Sequence, residues 1–242
     1  MRHLFGRPVR PARPRAEGER PLIILGAYPS ALHVRWHVPS LERPVQAVAV
    51  DDEPEPFWTG HDEAAQIHLW SRDVRFRAEW GHVSPCGHLN GSSGVWVEDM
   101  VLHPLRTPRE RAWITDCLDT YFTSTGAAAR LSEPAIVDAL ARLGIPAPEH
   151  RSHPSENDIV REALAGQRER LAVELSAAKP RMLVTLGNAA LRVVGALASG
   201  GPFPRKLSPA SGSYGTPIPA TIARHEFEWI PFRFSNSSRR VR

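Results

Sequence analysis

Six acidic or amide side chains stand where a folded chain could put them to chemical use. Asp51, Asp52 and Glu53 follow the apolar run 45–50, Asp116 follows Ala112-Trp-Ile-Thr115, Asn188 follows the run 181–186 and its Gly187, and Asn90 lies in the loop GHLNGSSG (87–94). A carboxylate at a strand end can serve as a general base when burial shifts its pKa, and the plain alternative is a solvated loop acid. Ionised, Asp116 only accepts hydrogen bonds, and its plain alternative is a cap on the following turn. The loops Gly26-Ala-Tyr-Pro-Ser30 and 87–94 are small enough for backbone N–H groups to approach a phosphate, with Ser30, Ser92, Ser93 and Asn188 as contacts. His88, His103 and His225 lack the i, i+4 spacing and carboxylate company of a metal site. Cys86 and Cys117, the only cysteines, cannot supply an iron–sulfur cluster or a Cys-rich zinc site, and are expected as free buried thiols. Neither a metal nor a cofactor is expected.

These groups need a scaffold that gathers strand ends. Residues 21–26, 45–50, 112–115, 181–186 and 228–232 are short apolar runs, mostly closed by turn residues or acids, the pattern of buried strands. A helix is expected over 62–80, with Ile67, Trp70, Val74 and Ala78 in one stripe. Ser132 reads as the cap of a helix to about Leu143, with Pro134 in its first turn. Ser155 and Asp158 start a longer helix that Pro180 ends, its core face Val160, Leu164, Leu171 and Leu175. A short helix follows the 87–94 loop, and Gly187 opens an apolar helix that ends near Gly200.

Strands alternating with helices predict an α/β fold, three-layer α/β/α with a mostly parallel central sheet. Ligands bind such sheets at the carboxyl ends of the strands, where Gly26–Ser30, Asp51–Glu53, Asp116 and Gly187–Asn188 all fall. Residues 21–232 read as a single domain between a flexible Arg/Pro-rich arm (1–20) and a basic tail (233–242). Most of the seven Trp are expected in the core, with Trp58 and Trp96 nearest the cleft.

Of 242 residues, 42% are hydrophobic and 23% charged, which suits one globular core. No apolar run reaches membrane-helix length, and no apolar segment follows the first arginines as in a secretory signal. The cytoplasm is therefore the expected compartment. Residues 1–20 carry six Arg against Glu17 and Glu19, and 233–242 carry four Arg and no acid, so the +4 total leaves residues 21–232 at −4. The basicity lies in the two ends, which either grip phosphates by displacing counterions or are solvated disorder.

Four segments resemble the uracil-DNA glycosylase superfamily, especially its compact bacterial and archaeal branches. ILGAYPS (24–30) resembles the first motif, which holds the water-activating group. GHLNGSSGVWVEDMVL (87–102) resembles the loop and helix in which an aromatic precedes a Gly-x-small-Gly turn. RAWITDCLDTYF (111–122) resembles the strand that ends in the base-reading Asn, and PRMLVTLGNAALRVV (180–194) the next strand, glycine and helix. Together they cover most of residues 22–232. The resemblance implies a monomeric DNA-repair hydrolase of base excision that flips a base out of the stack without metal or cofactor. In that reading Gly26, Ala27, Tyr28, Pro29, Leu89, Asn90 and Asp116 line the base pocket. An acid among Asp51, Asp52 and Glu53 activates water, and Ser30, Ser92, Ser93 and Asn188 meet phosphates.

The departures bear on activity. Ala27 and Tyr28 stand where the family carries an acid or amide, and Leu89 or Asn90 stands at its stacking Phe. Asp116 replaces the Asn, which would repel O4 of uracil and favour an exocyclic amine. After WIPF the family's His-Pro-Ser segment is replaced by residues 233–242, from which we expect an altered reading frame near Arg233; absence of His-Pro codons in another downstream frame would refute that. Two functional readings follow: a glycosylase with a rebuilt site, or a catalytically inactive DNA-binding module that keeps the fold. A third, an unrelated nucleotide-binding protein, lacks both a Walker A lysine motif and a G-x-G-x-x-G.

Overall fold

The computed structural model describes residues 18–146, 151–207 and 214–233. The expectations for most of the arm and of the basic tail lie outside the described residues. In chain order the strands are β1 (Leu22–Gly26), β2 (Ala31–His37), β3 (Val45–Asp52), β4 (His82–Pro85), β5 (Ala112–Asp116), β6 (Met182–Leu186), β7 (Ile218–Ile222) and β8 (His225–Phe232). The α-helices are α1 (Glu63–Asp73), α2 (Ser92–Val97), α3 (Thr125–Leu131), α4 (Pro134–Arg142), α5 (Glu156–Glu162), α6 (Arg168–Ala178) and α7 (Gly187–Leu197). They fall into two compact units. One comprises Pro29–Trp96 and Thr120–His153, and the other contains β1, Val97–Asp119 and the chain from Pro154 onward.

The second unit holds a five-stranded sheet in the order β5-β1-β6-β8-β7. The neighbours β5, β1, β6 and β8 are parallel, and β7 closes one edge antiparallel to β8. The expected mostly parallel sheet is therefore present. All five residues of β1 are buried, because a parallel strand covered on both faces needs an unbroken apolar run. Trp229 is wholly buried and donates its indole N–H to Thr185 Oγ1 at 2.9 Å, which satisfies the one polar atom it carries inside. The helical run 156–178 opens with the expected capping box between Ser155 and Asp158, widens into a π turn at 163–167, and ends with Lys179 at φ 44°.

The first unit has a separate antiparallel sheet in the order β3-β2-β4. This corrects the expectation that 45–50 joins the parallel sheet. Its partner β2 escapes notice because His33, Arg35 and His37 interrupt the apolar residues, yet the strand alternates buried Leu32, Val34 and Trp36 with wetter neighbours, the period of a sheet with one covered face. A register shift lies between Val34 and Trp36, opposite Ala47 at φ 54°, as in a β-bulge. The core packs the β2 and β3 side chains with Trp58, Ile67 and Trp70, and with Ile136, Ala139 and Leu140 of α4. Trp58 is thus a core residue, correcting its expected place at a cleft. Helix α1 stops at Asp73, short of residue 80, and Arg75 follows at φ 53°. Ser132 ends α3 and does not cap α4; Glu133 holds that position. Among the described residues no helix is long and apolar enough to cross a membrane.

Candidate functional site

The parallel ladder brings two of the sequence motifs together. Gly26 pairs with Asp116, and the ladder runs on past the strand ends, with Cys117 N–H donating to Gly26 O at 2.9 Å and Leu118 N–H to Ala27 O at 3.0 Å. Asp116 is 1% exposed, while Ala27 and Tyr28 beside it are half-buried. The other neighbour of β1 is β6, whose end turns through Gly187 at φ 85° into α7. Asn188, expected at a phosphate, accepts from Leu207 N–H at 2.9 Å and donates to Glu156 at 3.4 Å, so it anchors the loop before β7. The strand ends of β5, β1 and β6 thus collect Asp116, Gly26–Tyr28 and Gly187–Asn188 along one edge.

A second layer behind Asp116 gave no signal in the sequence. Arg170 on α6 donates through Nη2 to the carbonyls of Asp116 (2.7 Å) and Cys117 (3.1 Å). Its Nη1 reaches Thr115 Oγ1 at 3.2 Å and Glu174 at 2.7 Å. Glu174, itself buried, also accepts from the indole of Trp113 at 3.4 Å. Burial pushes the Cys117 thiol far above its ordinary pKa, Asp116 adds to the push, and Arg170 opposes it. That thiol is inert, as expected of a buried cysteine without a thiolate-stabilising site.

In the first unit the candidate acids hold the backbone. Glu53 Oε1 accepts from Ser30 N–H at 3.3 Å and from Phe57 N–H at 3.2 Å. Asp52 pairs with Ala31 and Asp51 with Leu32 in the β2–β3 ladder, and Asp51 Oδ1 accepts from the Asp52 N–H at 3.0 Å. Pro29 and Ser30, half-buried, lead into β2.

Asn90 is 7% exposed, and its amide pairs with a strand as another strand would. Oδ1 accepts from His33 N–H at 2.9 Å, and Nδ2 donates to His33 O at 2.7 Å and to Glu63 Oε1 at 2.6 Å. Glu63 also takes the N–H groups of Cys86 (2.7 Å) and Gly87 (3.1 Å). Leu89 is 42% exposed, and Ser92 and Ser93 open the six-residue α2. The turn between them is tight for a reason of packing. A Cβ at Gly91 would lie 2.2 Å from the Thr59 carbonyl, and one at Gly94 2.2 Å from the carbonyl oxygens of Phe57 and Trp58. The glycines of the Gly-Ser-Ser-Gly turn let segment 57–60 pass directly over it.

His33 also meets Tyr121, its Nε2 3.2 Å from the phenol oxygen. Burial holds the His33 imidazole below its ordinary pKa, and burial pushes Tyr121 up to about 12. A single histidine in an alternating strand carries no sequence signal for such a pairing. Among the described residues no group of three or more His, Cys, Asp or Glu is placed to hold a metal ion. No protein-family model matches the chain, and no curated protein matches it.

Proposed function

We propose that this chain is a DNA glycosylase-like protein of the uracil-DNA glycosylase type, in a three-layer α/β/α arrangement, which hydrolyses the N-glycosidic bond of a deaminated or modified base. The observation that carries the reading is the buried carboxyl group of Asp116, paired in register with Gly26 where parallel strands end. Strand ends of parallel sheets are where small ligands bind, and a flipped base needs a polar group to read its edge. Ala27 and Tyr28 continue from Gly26 and give the base its wall in this reading. The partner is DNA.

The second reading is a catalytically inactive DNA-binding module. Ala27 in place of an acid favours it, and so does the attachment of Glu53 to two backbone N–H groups. The deciding experiment incubates the full chain with labelled single- and double-stranded oligonucleotides carrying one uracil, hypoxanthine, xanthine or modified cytosine, then treats them with alkali. Strand breaks at one base, lost in Asp116→Ala, are the expected result. Salt-sensitive binding without breaks selects the inactive module, and neither binding nor breaks ends both readings.

A further inference from the structure

We infer that Arg170 is a positioning residue for Asp116, and that its pairing with Asp116's own peptide commits that site to base edges that donate hydrogen bonds. The inference rests on the reading of Asp116 as the group that meets the base, and it narrows the proposed substrate to modified bases that keep an exocyclic amino group.

The geometry is that of a clamp. Arg170 grips three successive residues, through Thr115 Oγ1, Asp116 O and Cys117 O, at the point where β5 ends. The guanidinium is itself aimed from its own helical run, by Gln167 one turn before (Nε to Oε1, 2.7 Å) and Glu174 one turn after. Every nitrogen of the fork is engaged. A lysine has the charge but not the planar fork, so it cannot hold these acceptors together.

The electrostatic consequence follows from the same placement. A carboxyl group at 1% exposure would take up a proton if left to burial alone. Arg170 sets a permanent cation against the Asp116 peptide. An Asp116 kept anionic offers acceptors only, matching amino groups such as those on adenine and cytosine. A protonated Asp116 gains a donor and tolerates a carbonyl edge such as that of uracil or hypoxanthine. Arg170 thus biases the site toward the first of these two classes.

The test titrates the Asp116 side-chain carboxyl by carbon-detected NMR in the full chain, with Asp116→Asn to assign the signal. Wild type is compared with Arg170→Lys and with the double variant Arg170→Met/Glu174→Leu, which removes cation and anion together so that Glu174 is not left as a buried charge without its partner. Arg170→Gln, which keeps donors without charge, replaces the double variant should that one fail to fold. We expect a near wild-type midpoint in Arg170→Lys, and an upward move of about one pH unit, tenfold in proton affinity, in the uncharged variants. Equal midpoints in folded wild type and an uncharged variant would overturn the inference. A parallel arm measures oligonucleotide binding with the target position cytosine, adenine, uracil or hypoxanthine. Preference for amino-bearing bases in wild type, relaxed in the uncharged variant, supports the specificity role. A midpoint that moves in a protein with no base preference keeps the role of Arg170 and removes the base-reading role of Asp116.

Discussion

Asn90 shows how a polar residue in a suggestive loop can be committed to architecture. Its amide supplies the donor and acceptor that a strand would supply to His33, and its second N–H goes to Glu63. Asn90→Ala would leave the His33 backbone pair and Glu63 without these partners. We expect a loss of about 1–3 kcal/mol in urea unfolding, the cost of stranding buried polar groups. A change of only a few tenths would mean that water replaces the amide without penalty. Asn90→Asp should cost more, since it sets a second carboxylate beside Glu63. The sequence makes the strand-end position of Asp116 legible, because an acid closing an apolar run is conspicuous. It does not reveal Arg170, which lies 54 residues away on a helix and looks there like any exposed arginine. Nor does it separate Asn90 as a strand mimic from Asn90 as a ligand contact, since both uses favour the same side chain.

At the scale of elements, the Gly-Ser-Ser-Gly turn and the turn into α7 invite opposite expectations. Gly94 is pressed against two carbonyl oxygens, so Gly94→Ala must move backbone and should cost at least about 3 kcal/mol, the upper end for overpacking. Gly187 has a positive φ but open space around its Cβ, so Gly187→Ala incurs conformational strain alone, about 1 kcal/mol. Thermal melts of the two variants should preserve that order, and its reversal would contradict the packing account. Strand β4 carries a different liability. His82 pairs in register with His37, their rings stack at 4.2 Å, and Arg35 is close by. Burial, then His82 and Arg35, hold His37 below its ordinary pKa. A lowered histidine contributes stability that is full above the unfolded value of about 6.5 and is lost as pH falls through the folded value. The denaturation midpoint should therefore drop between pH 7.5 and 5.5, and His82→Gln should flatten the drop; an unchanged pH dependence in that variant would refute the pairing. Among the elements, the mostly apolar strands β1, β5 and β6 were legible from their runs. The half-wet strands β2 and β4 were not, because three histidines and an arginine dilute a period-two signal over few residues.

For the molecule as a whole, the chain crosses between its two units four times among the described residues, near residues 28, 96, 119 and 153, so neither unit is one continuous segment. A fragment beginning at Pro154 carries β6, β7 and β8 but lacks β1 and β5. It should give the circular dichroism and proton NMR spectrum of an unfolded chain, and well-dispersed resonances would show that three strands suffice. The mostly parallel sheet was legible from alternating strands and helices. The second sheet was not, since it is built from a strand without an apolar run, a short edge strand, and a β3 that reads equally well as parallel. Connectivity of this kind also sets a timetable. Leu22 pairs with Ala112 and with Met182, so β1 leaves the ribosome 90 residues ahead of its first ladder partner and 160 ahead of its second. Meanwhile β2, β3 and β4 are all made by Pro85 and can pair at once. A nascent chain stalled after β4 should already protect the amides of Val34 and Trp36 from exchange while those of β1 remain open, which would make β1 a segment for chaperones to shield during synthesis.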